Sequence, residues 1–571
     1  AGDYEAAVRE AEEASRISAV LYPSENHDAG KSLRLQQQYF WVAASLHDIC
    51  RRFRKLREPW TAFPDYNAIQ LNDTHPTLAI PEFMRILVDE EGQDWDTAWD
   101  ITKRTFAYTN HTVLPEALEK WAVPLVEWLL PRHMQIIYDI NLFFLESVEA
   151  KFPGDRARLA RMSLIEEGFP KRVRMAHLAV IGSHKVNGVA ELHSDLVKTQ
   201  LFPDFVEFFG KDLFTNVTNG ITARRWLYQC NPSLSALITK ALGSEKWVTH
   251  LDDLEKLQKF AKDKKFQKEW AAAKQVNRNR LCDYIEATTG IKVNHKALID
   301  VQVKRIHEYK RQSLNILGVI YRYLQLKKMS PAERKRVVPR LSVFGGKAAP
   351  GYYMAKLIIR LINAVSKVLK ADTEISEYLS VAFLADYSVS LAEIIIPASD
   401  ISEHISTAGT EASGTSNMKF LLNGGLLLGT VDGANIELGE AAGEENCFFF
   451  GALTPDVPEL RLRHQAGQAQ YPAELLEVVD ALRSGMFSHG EGDIFEPLLS
   501  TIFQGDYYLI SDDFLSYLEA QRMVDEAYVD QQSWVEKCIN TTARMGRFSS
   551  DRAVMQYADE IWNVEPVAVR D

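Results

Sequence analysis

The chain has 571 residues, 46% of them hydrophobic and 25% charged, a balance that favours a large buried core over disorder. Its 77 acidic and 65 basic side chains give a formal net charge of −12, which argues against a nucleic-acid binder because phosphate neutralisation needs a basic face. No apolar run in the sequence approaches the roughly 18 to 20 residues of a membrane span. At about 150 residues per domain, the length predicts two to four domains.

The N-terminal part of the chain is predicted to be mainly helical. Apolar residues recur at helical spacing over residues 3–21, 33–56 and 80–150, and Pro and Gly signals end these stretches. Residues 66–71 form a strand-like insertion.

From Ala297 onward strand-like and helical runs alternate, which predicts βαβ units and a parallel sheet with helices on both faces, hence an α/β fold class. The predicted strands are 297–303, 341–344, 379–384 and 426–431, and the predicted helices are 309–326, 353–369 and 391–395.

The cysteines and the N-terminus bear on the cellular setting. Five scattered cysteines without a CxxC pair predict neither a disulfide framework nor a metal site. Because the N-terminus shows no secretory signal, we expect a reducing, cytoplasmic location. The chain lacks an initiating Met and opens inside a helical pattern, so we expect a fragment or a processed product.

The most informative stretch is 406–419, STAGTEASGTSNMK, which precedes a predicted helix. Small residues allow backbone N–H groups to face a ligand where a helix begins, and the helix dipole favours an anion there. Lys419 follows Thr415 and Ser416 by about one helical turn, so one ligand could rest a phosphate on the N–H groups and meet the lysine amine with an aldehyde, as pyridoxal phosphate would. From the spacing alone, a Ser/Thr-rich cap followed by a surface lysine is the better explanation.

Two further stretches follow predicted strands. Three basic residues cluster where a predicted strand ends and a predicted helix begins: Lys304, Arg305 and Lys310. The cluster is consistent with an anion site or with a solvated helix start. The run 345–351, GGKAAPG, is neither a dinucleotide nor a Walker loop and is a weak nucleotide signal. Asn219-Gly220 predicts a tight turn.

Five segments together resemble the signatures of the α-glucan (glycogen/starch) phosphorylase family, in the family's order. They are 72–76 (NDTHP), 108–118 (YTNHTVLPEAL), 218–222 (TNGIT), 303–310 (VKRIHEYK) and 411–419 (EASGTSNMK). The likeness runs from about residue 1 to the C-terminus. It implies a GT-B-like fold of two Rossmann-type domains facing a central cleft, with residues 1–219 as an incomplete, largely helical remainder of the glucan-binding domain and residues 220–571 as the cofactor-binding domain.

The resemblance implies a role for each matching residue. Lys419 would carry pyridoxal 5'-phosphate as a Schiff base. The cofactor phosphate would contact Thr415, Ser416 and Lys304, and its ring would contact Tyr387 and Trp226. The substrate phosphate would be held by Arg305 and Lys310. The glucosyl unit would be bound by His75, His111, Asn219, Tyr309, Glu411, Ala412, Ser413 and Gly414. The catalytic residues would be Lys419, Lys304, Arg305, Lys310 and His111.

The implied reaction is phosphorolysis of α-1,4-glucan non-reducing ends by inorganic phosphate, releasing α-D-glucose 1-phosphate with retention. Hydrolases use a carboxylate pair for such bonds, and none stands out in the sequence. Instead the cofactor phosphate would act as general acid and base through the substrate phosphate, while clustered cations hold the two phosphates together.

The resemblance also bears on subtype and assembly. A second glycan site typical of glycogen-type members would comprise Gln135, Tyr138, Asn141, Glu167 and Lys171. The first helix resembles the family's dimer-contact helix, so a homodimer is expected. Ser388 and Ser416 stand where mammalian members have arginine and glycine, and Asn26 lacks the two phenylalanines that follow it in those members.

Family members have an N-terminal stretch before the point where this chain begins. An inactive glycan- and cofactor-binding fragment of the same family is therefore one alternative to an active phosphorylase. A pyridoxal enzyme of the amino-acid type is another, although no acidic partner of the ring nitrogen is identified for it.

Overall fold

The structure is a computed structural model and describes residues 3–567. Contacts divide the chain into two compact units, Ala1–Val217 with Gln556–Asp571, and Thr218–Met555. The sequence predicted a first domain of residues 1–219 and a second of residues 220–571, whereas the contacts group the segment from Gln556 with the first unit.

The first unit is built on a parallel sheet of four short strands, in the order β1-β2-β6-β7, and carries a three-stranded antiparallel sheet, β3-β5-β4. The strands are β1 Ile69–Asn72, β2 Phe106–Thr109, β3 Lys120–Ala122, β4 Ile165–Glu166, β5 Arg172–Arg174, β6 Val186–Gly188 and β7 Phe214–Asn216. The α-helices are α1 Tyr4–Ala19, α2 Asp28–Arg54, α3 Phe63–Tyr66, α4 Ala79–Arg85, α5 Trp95–Thr105, α6 Val123–Leu129, α7 Pro131–Lys151, α8 Arg156–Met162, α9 Met175–Ile181, α10 Glu191–Leu196 and α11 Pro203–Phe209.

The first two helices confirm the predicted helical pattern, but residues 80–150 are less uniform than predicted. The strands β2 and β3 interrupt this stretch. All four residues of β2 are buried, and so short an apolar run cannot be distinguished from a helical segment by its periodicity. Phe63, Phe83 and Phe106 are fully buried in the core of the first unit, where the Phe83 ring contacts the other two rings.

The second unit is a doubly wound domain around a six-stranded sheet whose paired strands are all parallel, in the order β10-β9-β8-β11-β12-β13. The strands are β8 Leu298–Val303, β9 Arg340–Gly345, β10 Leu379–Leu384, β11 Ile401–His404, β12 Leu426–Thr430 and β13 Cys447–Phe450. The chain winds outward from β8 in one direction and from β11 in the other, so the order reverses between these two strands. This is the topological switch point at which open α/β sheets bind ligands.

Helices cover the six-stranded sheet. They are α12 Pro232–Leu242, α13 Lys264–Thr289, α14 Gln312–Lys328, α15 Pro331–Arg334, α16 Tyr353–Ala371, α17 Val389–Ala398, α18 Ser416–Leu422, α19 Asn435–Ala442, α20 Val457–Gln465, α21 Ala473–Arg483, α22 Glu496–Phe503, α23 Ile510–Val529 and α24 Gln531–Ala543, while α25 Ser550–Tyr557 crosses the boundary between the units. Short 3₁₀ and π-helical turns complete both units. Gly243 and Gly290 end α12 and α13 in the left-handed conformation, as C-terminal glycines do.

The mixed α/β class is confirmed, and four of the six strands of the second unit were predicted. The strands β11 and β13 were not predicted. The sequence of β11, Ile-Ser-Glu-His, looks polar, yet all four of its residues are buried. Glu403 in this strand accepts hydrogen bonds from Tyr517 and Gln521, which lie far from it in the sequence. Among the described residues, no helix is both long and apolar enough to cross a membrane.

Candidate active site

The switch point of the six-stranded sheet brings together residues that are far apart in the sequence. Lys304 directly follows β8, His404 ends β11, and the segment after β12 begins at Val431. Gly346, after β9, has a φ of +152°, and a Cβ there would collide with the backbone of Lys304. The glycine run that gave a weak nucleotide signal is therefore needed for a close backbone approach.

A cavity of about 270 Å³ lies at this edge of the second unit. Its walls come from the basic segment that contains Lys304 and Lys310 and from the small-residue segment 406–419. The predicted site residues that line it are Lys304, Lys310, Tyr387, Glu411, Ser413, Gly414, Thr415, Ser416 and Lys419. His404, Asn417, Asp432 and Asn435 also line it and were not predicted.

Lys419 lies on α18, one turn after its N-cap Thr415. The lysine is half-buried, and its Nζ is 4.2 Å from the centroid of the Trp226 ring. Burial lowers the pKa of the Lys419 amine, and burial raises the pKa of Tyr387 in the same cavity to about 12. Only the deprotonated amine can attack a carbonyl group, and a lowered pKa makes that form more abundant.

Lys304 is the second basic group of the cavity. Its Nζ is 3.2 Å from Nδ1 of His404, whose Nε2 is 3.1 Å from the Ser402 hydroxyl. Burial first, and the nearby Lys310 charge second, lower the pKa of Lys304 to about 7. Burial also holds the pKa of His404 well below its ordinary value, so the imidazole is neutral and Nδ1 accepts from the Lys304 amine.

Lys310 and Tyr309 both contact Glu411. Lys310 Nζ lies 2.5 Å from one carboxylate oxygen, and the Tyr309 hydroxyl donates to the other at 3.2 Å. Burial alone would raise the pKa of Glu411, but the charges of Lys310 and Lys304 hold it below its ordinary value. The resemblance implied a phosphate contact for Lys310, which here is paired with a carboxylate. Arg305, in contrast, is exposed.

The other predicted residues of this unit have mixed surroundings. Ala412 and Ser413 are buried, and Gly414 has a φ of +84°. The carbonyl of Asn219 accepts from Arg552, and a Cβ on Gly220 would collide with the Ser549 backbone. Asn219-Gly220 is thus not the tight turn that the dipeptide predicts: Gly220 is required by a close approach of two chain segments.

The predicted residues of the first unit follow its parallel strands. His75 comes shortly after β1, and His111 comes two residues after the end of β2; both are exposed. Nε2 of His111 is 2.5 Å from the Asn72 amide oxygen. The carboxyl edge of this sheet therefore presents imidazoles on its surface.

The predicted second glycan site of the first unit is only partly a free surface. Tyr138 is 40% exposed, Gln135 is exposed, and Glu167 and Lys171 form a 3.0 Å ion pair beside it. That ion pair, with a smaller contribution from Tyr138, raises the pKa of Lys171. Asn141 differs, because its amide oxygen accepts from the backbone N–H of Leu164 at 2.8 Å.

Away from these sites, the side chains of His464, Asp506 and Asp512 in the second unit lie within 4.8 Å of one another. His464 Nε2 contacts Asp512 at 2.5 Å, and Asp506 accepts from Ser511 and Ile510 at the start of α23. This group caps a helix and buries an imidazole; the sequence analysis predicted no metal site.

The fold and the cavity define a doubly wound α/β protein with lysines and small residues gathered at its switch point. The family model for carbohydrate phosphorylases matches residues 1–564. The chain belongs to this family.

Curated relatives cover nearly the whole chain. It is 56% identical to a glycogen phosphorylase of Saccharomyces cerevisiae over 99% of its length and 65% of the relative's. It is 51% identical to glycogen phosphorylase 2 of Dictyostelium discoideum, again over 99% of this chain but 56% of the relative. A cytosolic alpha-glucan phosphorylase 2 of Arabidopsis thaliana is 50% identical over 100% of this chain and 68% of its own length. The chain thus spans roughly two thirds or less of these proteins.

Proposed function

We propose that the protein is an α-glucan phosphorylase. It removes non-reducing glucosyl units from glycogen or a related α-1,4-glucan with inorganic phosphate and releases α-D-glucose 1-phosphate with retention. The observation that carries the proposal is the switch-point cavity, in which Lys419, Lys304 and the Glu411 segment meet. The family membership and the names of the relatives support it.

The residues of the cavity fit pyridoxal 5'-phosphate. Lys419 offers a half-buried amine of lowered pKa, and Tyr387 and Trp226 offer ring surfaces near it. The hydroxyls of Thr415 and Ser416 and the amine of Lys304 are donors suited to its phosphate. When bound, the cofactor supplies a phosphate that acts as general acid and base toward the substrate phosphate.

The charges of the site suit two phosphates side by side. Lys304 has a depressed pKa of about 7, so an adjacent phosphate would restore its ammonium form. Arg305 is exposed and offers a guanidinium to the substrate phosphate together with Lys310. These cations offset the repulsion between the phosphates and the charge that develops in the transition state.

The cavity contains two carboxylates, but they do not serve as a hydrolase pair. Glu411 is engaged by Lys310 and Tyr309, and Asp432 accepts hydrogen bonds from backbone and hydroxyl donors on both of its oxygens. Neither is poised as a proton donor or a nucleophile, which favours catalysis through phosphate groups. Glu411, Ala412, Ser413, Gly414, Asn219 and Tyr309, and His75 and His111 of the first unit, are the proposed glucosyl-binding residues.

We further propose that Gln135, Tyr138, Glu167 and Lys171 hold glycogen away from the reaction centre, with Asn141 shaping that surface. A homodimer is supported by α1, which buries none of its residues and leaves Tyr4 and Val8 exposed. A cytosolic location follows the printed name of the Arabidopsis relative.

A borohydride-trapped mass spectrum, combined with an assay of glucose 1-phosphate release from glycogen and phosphate, tests the function. A pyridoxyl adduct on Lys419 together with product is the expected result. An adduct without product would identify an inactive cofactor-holding fragment. A spectrum without an adduct on Lys419, from protein reconstituted with the cofactor, would refute the cofactor assignment, and Lys347→Ala serves as the control for trapping at an exposed lysine.

A further inference from the structure

Asp432 is an unpredicted residue of the cavity with an unusual number of donors around it. It follows β12 and is only 2% exposed. One carboxylate oxygen accepts from the backbone N–H groups of Gly409 and Gly433, each at 2.9 Å. The other accepts from the Ser406 hydroxyl at 2.9 Å and from the N–H groups of Thr410 and Glu411 at 3.3 and 2.9 Å.

Three successive amides, those of residues 409 to 411, therefore converge on a single side chain. Such a run of N–H groups is an anion-binding concavity, and here the chain's own carboxylate fills it. Burial raises the pKa of Asp432 to about 6, so the group is ionised at neutral pH and every donor has an acceptor. With both oxygens engaged, Asp432 has no remaining role as a direct ligand contact.

Glu411 is the last of the three successive residues whose backbone N–H groups donate to Asp432. Beyond the backbone N–H held by Asp432, the Glu411 side chain extends to Lys310 and Tyr309. Gly433 packs closely against the same segment: a Cβ there would lie 2.7 Å from the Glu411 carbonyl oxygen and 2.8 Å from the Ser413 carbonyl oxygen. The N–H of Ala434 donates to the Ser413 carbonyl at 2.9 Å.

We propose that Asp432 is a positioning residue, which orders the 406–413 segment and thereby sets the orientation of Glu411 toward the glucosyl unit. The inference rests on the proposed function, since it is that function which makes Glu411 a sugar-binding residue. It adds a second requirement to the site: the orientation of Glu411 depends on a carboxylate that never contacts the sugar.

The direct test is hydrogen–deuterium exchange on Asp432→Asn. An asparagine keeps one acceptor oxygen and places N–H bonds where the other oxygen was, so either Gly409 or both Thr410 and Glu411 lose the acceptor of their backbone N–H. Exchange in the 406–413 segment is expected to rise at least tenfold while the rest of the second unit is unchanged. Unchanged exchange in this segment, or an equal rise throughout the unit, would overturn the proposal.

Asp400→Asn is the matched control. Asp400 is equally buried, belongs to the same sheet and accepts from Arg278 and Ile299, but it precedes β11 at the opposite edge. Its loss is expected to lower stability without selective exchange at residues 406–413. If Asp432→Asn does not fold, Ser406→Ala removes one of the five donors to Asp432, and a smaller but still selective rise is expected.

Kinetics in the direction of glucan synthesis separate positioning from general damage. Asp432→Asn is expected to raise KM for glucose 1-phosphate about tenfold with a smaller change in kcat, because a binding contact is lost. In the Glu411→Gln background the same substitution should change KM by less than twofold, since its effect passes through Glu411. An undiminished effect in that background would overturn the proposal. Wild-type protein without turnover would count against the proposed function, whereas the exchange experiment still decides the role of Asp432.

Discussion

Each unit has a parallel sheet whose carboxyl edge bears predicted site residues, but the two edges differ in kind. In the first unit, β1, β2, β6 and β7 lie side by side in chain order, and His75 and His111 stand exposed at the edge. In the second unit the order reverses between β8 and β11, and a cavity of about 270 Å³ opens there.

The reversal has a physical consequence. Connections leave the two central strands in opposite directions, so a crevice forms that no loop has to cross. Charges inside it are shielded from water, which is why the pKa of Lys304 falls to about 7 and that of His404 falls below its ordinary range. Since this cavity gathers the residues proposed to bind the cofactor, the comparison predicts larger mutational effects at the second sheet than at the first.

The largest effect is expected from Lys304→Met, which removes the cation proposed for the cofactor phosphate. A charge-assisted hydrogen bond of about 1.5 to 3 kcal/mol corresponds to roughly a 10- to 150-fold loss of cofactor affinity. Binding of the phosphate favours the protonated amine, so wild-type affinity should also fall as the pH rises above 7. Fluorescence titration with pyridoxal phosphate measures both effects, and Lys347→Met, at an exposed lysine, should match the wild type; equal affinity of Lys304→Met would contradict the assignment.

A second test concerns stability in the first unit, where Glu82 is a buried carboxylate with a strongly lowered pKa. This group is buried, and although burial alone would raise its pKa, its contacts with Arg85 and His133 lower it to about 2. A lowered pKa stabilises the folded state above the ordinary value of 4.5, and that contribution is lost as the pH falls from 4.5 toward 2. Glu82→Gln should cost roughly 3 kcal/mol at pH 7 and progressively less toward pH 2.

Urea denaturation across this pH range checks the Glu82 prediction. Glu90→Gln is the control, because Glu90 also pairs with Arg85 but is 43% exposed in its side chain. Its effect should stay within the range of about 0 to 1 kcal/mol that exposed ion pairs contribute. A pH-independent cost of Glu82→Gln would show that packing, and not charge, is responsible.

A smaller effect is expected at the exposed edge of the first sheet. His111→Asn removes an imidazole that contacts Asn72, and kcat/KM for phosphorolysis should fall about tenfold, as for one lost hydrogen bond of about 1.4 kcal/mol. His47→Asn, at an exposed position on α2, should leave kcat/KM unchanged. The comparison between the two edges would be inverted if the fold-loss of kcat/KM in His111→Asn exceeded the fold-loss of cofactor affinity in Lys304→Met.

The smallest effect concerns Tyr138. Tyr138→Ala should weaken co-sedimentation with glycogen a few-fold and leave kcat with short maltooligosaccharides unchanged, because this surface is proposed to retain large glucans only. Phe143→Ala, which removes another exposed aromatic side chain of α7, is the matched control. An equal loss in both variants would point to general damage of the helix.

Several features were predictable because they depend on local sequence. Lys419 lies one turn from Thr415 as the spacing predicts, and Lys304 follows a strand as its position after an apolar run predicts. The strands β8, β9, β10 and β12 and the long helices α1, α2, α14 and α16 were likewise predicted, because each is a clear local apolar pattern.

The sequence by itself determined the α/β class, the family and the identity of the lysines, since these follow from patterns and motifs that neighbours in the chain supply. Only the tertiary structure decided what those groups contact. His404 and Asp432 are single polar residues without a motif, and Glu411 acquires Lys310 as a partner across 101 positions. Burial and pairing across the sheet set their charge states, and both arise only when the strands are brought side by side.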